Sequence, residues 1–182
     1  GSGAVATRHT KSGTTATDAS GAGNEGTLVN MDDADRVAGK FGKALDFDGV
    51  DDHVTLGADA GLGLDNPAEF TFSAWIKLDR AGNFPMIFSK DGTELNLRLN
   101  ANTRLPALRI EGTNYTVAAG NAVPVDEWHH VASTFHDGDN QVRLYLDGAK
   151  VGEFSFNKTV DTTGRDAFVG RRSDGYYFPG VI

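Results

Sequence analysis

The loop over residues 13–28 concentrates side chains that could hold a metal ion. It offers the carboxylate of Asp18, the side-chain amide of Asn24, the hydroxyl of Thr27, and glycines such as Gly21 whose backbone carbonyls can turn inward. Oxygen ligands of these kinds suit Ca2+, which takes roughly six to eight of them. An aspartate in such a loop also stabilises a turn by accepting hydrogen bonds from backbone N–H groups. From the residues alone, a calcium site and a simple turn both remain open.

A second group of side chains has the types that a sugar-binding surface requires. Arg98, Arg109 and Tyr115 lie in short alternating runs, while Arg171 and Tyr176 lie in a segment rich in Asp, Gly and Tyr near the end of the sequence. Arginine and tyrosine supply hydrogen bonds for hydroxyl groups and aromatic faces for stacking. We predict that these five residues border a ligand groove. A solvated sheet face with cross-strand ion pairs would explain the first two arginines equally well.

Motifs for the common catalytic mechanisms are absent from the sequence. There is no G-x-S-x-G, no H-E-x-x-H and no phosphate-binding glycine-rich loop with lysine. The adjacent His129 and His130 must point to opposite faces of a strand, so we expect one of them to be buried and hydrogen-bonded. These observations favour binding over catalysis.

The elements that must position these residues are strands. Residues 127–154 form two period-2 runs rich in β-branched and aromatic residues, followed by a turn at Asp147–Gly148, which predicts a β-meander. Residues 94–99 alternate strictly, with Leu95, Leu97 and Leu99 on one face. The strand phases predict a common core that contains Leu45, Phe47, Phe72, Trp75, Ile76, Trp128, Val131, Leu144, Leu146, Phe154 and Val169.

Composition restricts the class of protein. A length of 182 residues with 23 glycines suits one all-β domain joined by tight turns. The net charge of −8 argues against nucleic acid as a partner, because phosphates require clustered Lys and Arg. The absence of cysteine excludes disulfides and thiolate metal sites. No run approaches the roughly 20 apolar residues of a membrane span, and the start of the sequence does not resemble a signal peptide.

Several motifs together resemble one known family. Residues 128–135, W-H-H-V-A-S-T-F, with L-Y-L-D-G at 144–148, resemble the laminin-G-like, concanavalin A-like lectin and glucanase domains. Residues 41–54, 70–78 and 169–182 resemble further elements of that family in the family's order. The resemblance implies an all-β antiparallel β-sandwich of the jelly-roll type over residues 13–182. Residues 1–12 are then an irregular N-terminal segment or a cloning remnant.

The resemblance also bears on the metal and on catalysis. The family's habit of binding calcium in the corresponding loop implies a Ca2+ site formed by Asp18, Gly21, Asn24 and Thr27. Glycoside hydrolases with this fold typically carry an E-x-D-x-x-E strand, which this sequence lacks.

Both ends of the sequence differ from the family pattern. Residues 4–13 are polar and basic where relatives have an apolar first strand, and the sequence ends at Ile182 where relatives continue with an acidic residue and a last strand. We therefore expect a sandwich short of its last strand and a cation site short of one ligand. The place beside residues 178–182 would be filled by residues beyond this sequence, by a partner's strand, or by the segment from Ala4 to Lys11.

The sequence thus predicts a calcium-stabilised carbohydrate-binding or adhesion module of a larger extracellular, cell-surface or virion protein. Its expected partners are a carbohydrate or glycoprotein, and also a complementary peptide strand. The alternative is a structural spacer or decoration domain, or a split domain completed by a partner's strand. A glycosidase or lyase is the third reading.

Overall fold

The computed structural model describes residues 13–58, 61–90 and 95–182. These residues form strands and two short 3-10 helices, Asp33–Asp35 and Asp137–Asp139, with no α-helix among them. The predicted irregular segment 1–12, which includes Ala4 to Lys11, lies outside the described residues. The strands in chain order are β1 (Thr15–Ala16), β2 (Gly26–Val29), β3 (Arg36–Ala38), β4 (Lys43–Asp48), β5 (His53–Gly57), β6 (Glu69–Leu78), β7 (Met86–Lys90), β8 (Leu95–Leu99), β9 (Pro106–Ile110), β10 (Thr113–Thr116), β11 (Trp128–His136), β12 (Gln141–Leu146), β13 (Ala149–Ser155), β14 (Ala167–Val169), β15 (Arg171–Arg172), β16 (Tyr176–Tyr177) and β17 (Pro179–Val181).

The described strands form two large antiparallel sheets. Eight of them lie in the spatial order β1-β2-β5-β14-β7-β8-β9-β10, and seven lie in the order β13-β12-β11-β6-β17-β4-β3, while β15 and β16 form a separate hairpin. The hydrophobic core takes side chains from both large sheets. This arrangement confirms the predicted antiparallel β-sandwich. In the part of the chain that is described, no helix has the length and apolar character needed to cross a membrane.

Side-chain alternation along β6 shows how the sequence defines the core face. Phe70, Ile76 and Leu78 are buried against the opposite sheet, whereas Thr71 and Ser73 are exposed on the outer face. Successive residues of a strand point to opposite faces, so one apolar residue in two is enough to build the core. The predicted meander of β11, β12 and β13 is also present, with Val131 opposite Leu146.

The prediction that both tryptophans belong to the core is wrong. Trp75 lies opposite His130, and Trp128 lies opposite Lys77, which places both indoles on the outer face of the seven-stranded sheet. Trp75 follows Ser73 in the outward phase of β6, while the neighbouring Ile76 takes the core position and is 0% exposed. Both tryptophans are half-buried rather than fully exposed.

The other predicted core residues divide into two groups. Phe47, Ile76, Val131 and Leu144 are almost completely buried. A second set packs against the core but stays partly exposed, and it comprises Leu45, Phe72, Leu146, Phe154 and Val169.

Strand β17 lies between β6 and β4 and depends on a glycine. A Cβ atom added at Gly180 would lie 2.2 Å from the carbonyl oxygen of Lys77, and the φ angle there is +136°. Only glycine allows this close approach without strain. Gly180 therefore lets β17 pair with Leu78 on one side and Phe47 on the other.

The two adjacent histidines point to opposite faces, as predicted. His129 Nδ1 lies 2.8 Å from the Asp147 carboxylate, and its side chain is largely buried. His130 lies instead beside Trp75 on the outer face, with the ring centroids 5.4 Å apart and the rings tilted by 51°. The first contact anchors the turn after β12, because Asp147 also accepts the backbone N–H of His130 at 2.9 Å.

Candidate functional site

Two polar side chains on the outer face of the eight-stranded sheet are almost completely buried. Asn96 is 0% exposed and Arg98 is 2% exposed. The guanidinium of Arg98 donates to Asn96 Oδ1 at 2.9 Å and to Asn114 Oδ1 at 2.8 Å. Burial, followed by the nearby charges of Arg109 and Arg172, lowers the pKa of Arg98 to about 10. The group remains a cation at neutral pH, held by amide oxygens.

The ring of Phe84 covers Arg98 and contacts a second ring, that of Tyr176. The guanidinium of Arg98 lies 4.8 Å from the ring centre of Phe84, and that ring meets Tyr176 edge to face at 5.5 Å. The ring centre of Tyr176 in turn lies 4.4 Å from the guanidinium of Arg172. That guanidinium donates hydrogen bonds to both carboxylate oxygens of Asp174. We name this region, formed by the four arginines 98, 109, 171 and 172 with Phe84 and Tyr176, the arginine surface.

The backbone of Phe84 has an uncommon conformation. Its φ angle is +58°, in the left-handed region that bulky residues rarely adopt. Such a conformation costs on the order of 1–3 kcal/mol and persists where the surrounding structure enforces it, often at ligand sites. Here the strained residue places its ring over Arg98 and against Tyr176.

Arg171 anchors the other end of the arginine surface. Its guanidinium lies 3.0 Å from His53 Nε2 and 5.0 Å from the ring centre of Phe168. Its backbone oxygen accepts the Ser89 hydroxyl at 2.7 Å. Desolvation by burial, with the nearby Arg171 charge, lowers the pKa of His53. These contacts fix the β15–β16 hairpin against the sheet.

Four of the five predicted groove residues lie on this outer surface, and Tyr115 does not. Arg109 lies opposite Asn96 and Asn114, on the same face as Arg98. Tyr115 lies opposite Leu108 instead, and its ring packs against Phe154 and Phe156 on the core side. The prediction for Tyr115 is therefore corrected. Arg98 is also too deeply buried to touch a ligand directly in this structure, and it supports the rings above it.

Sequence reasoning missed several residues of the arginine surface. Asn96 and Asn114 share a face with Arg98 and Arg109, and strand alternation could have found them. Phe84 and Asp174 give no periodic signal, because both lie in loops. The position of Phe84 depends on its contact with Tyr176, which is far away in the sequence.

The predicted metal loop forms a turn around Asp18. The carboxylate accepts the backbone N–H groups of Ser20 at 2.8 Å and Asn24 at 2.9 Å. Hydrogen bonds from the Ser20 side chain and then from these N–H groups lower the pKa of Asp18. Asn24 is thus brought close to Asp18, and Gly21 lies in the same turn with a φ angle of +78°. Thr27 lies further on, in β2, opposite Thr15 and Thr55.

These residues fit a calcium ion only in part. Each carboxylate oxygen of Asp18 already accepts one hydrogen bond and keeps further lone-pair capacity. Asp18 could therefore supply a carboxylate to Ca2+, whereas Asn24 Oδ1 lies beside Gly61, 2.8 Å from where a Cβ atom would stand there. The same hydrogen bonds are those expected of an aspartate that stabilises a simple turn.

A second acidic group lies in the turn between β4 and β5. Carboxylate oxygens of Asp48, Asp51 and Asp52 all lie within 4.8 Å of one another. Burial acts to raise the pKa of Asp48, but hydrogen bonds from the backbone N–H groups of the turn hold it below its ordinary value. Desolvation raises the pKa of Asp52 to about 6, reinforced by the neighbouring Asp48. Sequence analysis treated this D-G-V-D-D segment only as a fold motif.

The family of the chain follows from a sequence comparison. A laminin-G family model, described as the concanavalin A-like lectin/glucanases superfamily, matches residues 48–182. The match spans most of the chain, so the chain belongs to this superfamily. No curated protein sequence matches the chain significantly.

Solved structures share the fold at low sequence identity. Domain 4 of AbnA, an extracellular arabinanase from Geobacillus stearothermophilus in complex with arabinotriose, is 18% identical with a TM-score of 0.62, covering 86% of this chain and 72% of that one. The CBM40 of Ruminococcus gnavus IT-sialidase bound to α2,3 sialyllactose is 14% identical with a TM-score of 0.63, covering 76% and 85%. A pentraxin from Limulus polyphemus is 14% identical with a TM-score of 0.53, covering 63% and 60%. Similarity at this level shows the fold.

Proposed function

We propose that this domain is a carbohydrate-binding module without catalytic activity of its own, and that the arginine surface is its binding site. The observation that carries the proposal is the pair of contacting rings at Phe84 and Tyr176, which lies over the buried Arg98 on the face of the sheet that also carries Arg109 and Asn114.

The chemistry of the surface matches that of a sugar. Tyr176 is half-buried and presents both a ring face and a hydroxyl, while Arg109 and the exposed Asn114 supply hydrogen-bond donors on the same side. Sugars bind through hydrogen bonds to hydroxyls together with stacking on one aromatic ring. The structures of similar fold in complex with arabinotriose and sialyllactose support carbohydrate as the ligand class.

We further propose that calcium stabilises the domain through the Asp18 loop. The supporting observations are the carboxylate of Asp18, the adjacent Asn24 and the turned backbone at Gly21. Ca2+ there would cross-link the loop before β2 and would leave the arginine surface unchanged. A module of this kind acts outside the cell, at a cell surface or on a virion, as part of a larger protein.

A glycan array with calcium and with chelator tests the ligand class. We expect binding to a limited set of oligosaccharides, and arabino-oligosaccharides and sialylated glycans are the first probes to include. A blank array at high protein concentration in calcium would favour the structural spacer instead.

The substitution Tyr176→Ala tests the site once a binding glycan is found. Loss of one stacking ring should weaken binding roughly tenfold, which corresponds to about 1.4 kcal/mol. Tyr145→Ala is the matched control, because Tyr145 is also half-buried but lies opposite Ala132 on the outer face of the other sheet. Equal losses in both variants would place the ligand elsewhere.

Thermal unfolding with and without chelator tests the calcium proposal. Binding to the native state raises stability by mass action, so the melting temperature should rise with free Ca2+ and Asp18→Asn should reduce the effect. Asp161→Asn is the control, because Asp161 accepts a backbone N–H two residues ahead in a similar exposed turn. A melting temperature that does not respond to Ca2+ in the unmodified chain would refute the metal site.

A further inference from the structure

The two large sheets differ in the charges that their strands carry. The whole chain has 25 aspartates and glutamates against 17 lysines and arginines. None of these acidic residues lies within the described bounds of the strands that form the eight-stranded sheet. Strands of the seven-stranded sheet carry four of them, at Asp46, Asp48, Glu69 and Glu153. The arginine surface therefore lies on the sheet whose strands hold no carboxylate, in a chain that is acidic as a whole.

Arg171 is held by partners that carry no negative charge. Its Nη1 lies 3.0 Å from His53 Nε2, and its Nη2 donates to the exposed Ser173 carbonyl oxygen at 3.4 Å. A guanidinium can only donate, so His53 Nε2 accepts, and the imidazole N–H lies on Nδ1, which faces the Asp51 carbonyl oxygen at 2.8 Å. His53 thus offers Arg171 a lone pair, and the charge of Arg171 is not paired with an anion.

The same holds for Arg98, while Arg172 has a carboxylate of its own. The partners of Arg98 are the side-chain amide oxygens of Asn96 and Asn114. Asp174 uses both carboxylate oxygens to accept hydrogen bonds from Arg172. Among the described residues, neither Arg98 nor Arg171 forms an ion pair with a carboxylate, and the arginine ion pairs involve residues 36, 143 and 172.

The arginines are close enough to act on one another. Burial first, and then the charges of Arg109 and Arg172, lower the pKa of Arg98 to about 10. Hydrogen bonds from Arg172 lower the pKa of Asp174, and the charge of Arg109 acts in the same direction. A nearby like charge disfavours the charged form of a group and a nearby opposite charge favours it. An anion bound beside these arginines would therefore relieve their mutual repulsion.

Each tyrosine of β16 lies beside an arginine of β15. Arg171 pairs across the hairpin with Tyr177, and Arg172 pairs with Tyr176. The guanidinium of Arg171 lies 5.9 Å from the ring centre of Tyr177, and that of Arg172 lies 4.4 Å from the ring centre of Tyr176. Both rings are half-buried. The hairpin thus presents aromatic rings and positive charges together, which suits a sugar ring that carries an acidic substituent.

Provided that the arginine surface binds carbohydrate, on which this inference rests, we propose that it selects saccharides that carry an anionic group, either a carboxylate or a sulfate. A guanidinium matches two oxygens of such a group with two parallel N–H donors, which a neutral hydroxyl cannot use. Arg109 and Arg171 are half-buried and can contact the anion. Arg98 and Arg172 lie deeper, at 2% and 8% exposed, and contribute positive potential from below.

A glycan array tests this selectivity. The array carries neutral oligosaccharides beside uronic acid, sialylated and sulfated ones, and the full chain is applied both in calcium and in chelator. We expect the bound glycans to be acidic in both buffers. Hits confined to neutral glycans would overturn the inference and leave carbohydrate binding standing, whereas a blank array would refute both. Binding of acidic glycans that is lost in chelator would assign the anion to Ca2+ instead of the arginines.

Matched probes measure how much the charge contributes. The carboxylate pairs are α2,3-sialyllactose and trigalacturonate, each with its methyl ester, and the sulfate pair is 6-sulfated lactose with lactose. Calorimetric titration should give an affinity about tenfold higher for the acidic member of at least one pair. The difference should shrink between about 50 and about 300 mM NaCl, because salt screens partly exposed charges. Equal affinities within every pair would overturn the inference, and so would a hexaglutamate peptide that binds as tightly as the acidic saccharides.

Arginine variants locate the anion on the surface. Arg171→Gln and Arg109→Gln should each weaken binding of the acidic probe, by roughly tenfold for the residue in direct contact, and change binding of its neutral partner by less than about twofold. Arg171→Lys keeps the positive charge and should retain more of the preference than Arg171→Gln. Arg143→Gln is the matched control, because Arg143 is also half-buried but lies opposite Thr134 on the outer face of the other sheet. Equal losses for the acidic and neutral probes in both glutamine variants would show that these arginines do not recognise the charge.

Discussion

Strands β8 and β6 show what complete and incomplete pairing do to a sheet. β8 pairs with β7 on one edge and with β9 on the other, and all five of its residues are buried, including Asn96 and Arg98. β6 pairs fully on one edge only, and its core-facing Phe72 and Ala74 remain partly exposed. Burial of a strand residue therefore depends on the neighbouring strands as well as on alternation.

The same comparison explains an inversion of ordinary burial preferences. The charged Arg98 is more deeply buried than the apolar Trp75. Arg98 lies in the middle of a complete sheet beneath Phe84, whereas Trp75 lies on the outer face of β6, whose second edge pairs with β17 only at Lys77 and Leu78.

The largest expected effect is the difference in lost stability when a side chain of β8 and a side chain of β6 are each truncated to alanine. Leu97→Ala removes a fully buried side chain from β8 and should lower the free energy of unfolding by about 2–5 kcal/mol. Trp75→Ala should cost less, about 1 kcal/mol, because the indole lies on the outer face and is already partly exposed. Urea unfolding followed by circular dichroism measures both. A larger loss for Trp75→Ala would contradict the outer-face assignment.

The next effect concerns β17, the short strand that lies between β4 and β6. Gly180→Ala should lower the free energy of unfolding by about 2–4 kcal/mol, because the new Cβ would meet the Lys77 carbonyl oxygen at 2.2 Å. Gly175→Ala is the matched control: its φ angle is +92° and nothing lies within 4 Å of the added Cβ, so only the backbone strain of about 1 kcal/mol applies. Equal losses would mean that β17 does not depend on this close approach.

The third effect is a test of the buried arginine. Arg98→Met should cost about 1–3 kcal/mol, because Asn96 Oδ1 and Asn114 Oδ1 lose their donors while the aliphatic volume is kept. Arg165→Met is the control on an exposed loop and should change stability by less than about 0.5 kcal/mol. Thermal and urea unfolding provide the measurement. An unchanged stability in Arg98→Met would show that the amide contacts are of no net value.

Strand positions could be predicted from the sequence, and their faces followed wherever alternation was unbroken. Leu95, Leu97 and Leu99 face the core as predicted. Tyr115 was assigned to the groove by its side-chain type, but it lies opposite Leu108 and therefore on the core face. Ile110 pairs directly with Thr113 across Glu111 and Gly112, which both have positive φ angles and form a two-residue hairpin turn.

Long-range contacts could not be predicted in this way. The Phe84–Tyr176 pair joins two loops, and local periodicity carries no signal for such contacts. The half-burial of Leu45 and Phe72 likewise depends on which strands lie beside β4 and β6. The expectation of a missing last strand came from the family resemblance alone and stays a prediction.

The smallest expected effect is a pH dependence centred on Asp52, close to where β17 pairs with β4. Asp52 is 6% exposed, and its side chain accepts the backbone N–H of Asp48 at 3.0 Å. Desolvation raises its pKa to about 6 from an ordinary value of 3.8. A raised carboxyl pKa means that the native state binds more protons than the unfolded state between these two values. The contribution of this group to stability therefore increases as pH falls from about 6 to about 4, and the ionised form is penalised at pH 7.

Asp52→Asn should remove that dependence. The amide oxygen can still accept the Asp48 N–H, so the variant should be at least as stable as the unmodified chain at pH 7.5, and its advantage should disappear by pH 4. Asp51→Asn, which removes an exposed charge one residue away, controls for the change in net charge. Melting temperatures should be measured in chelator, so that no metal ion is held by the neighbouring carboxylates of Asp48, Asp51 and Asp52. The difference in melting temperature between Asp52→Asn and the unmodified chain could instead stay constant from pH 7.5 to pH 4. That result would show that the pKa of the Asp52 carboxyl is not raised by burial.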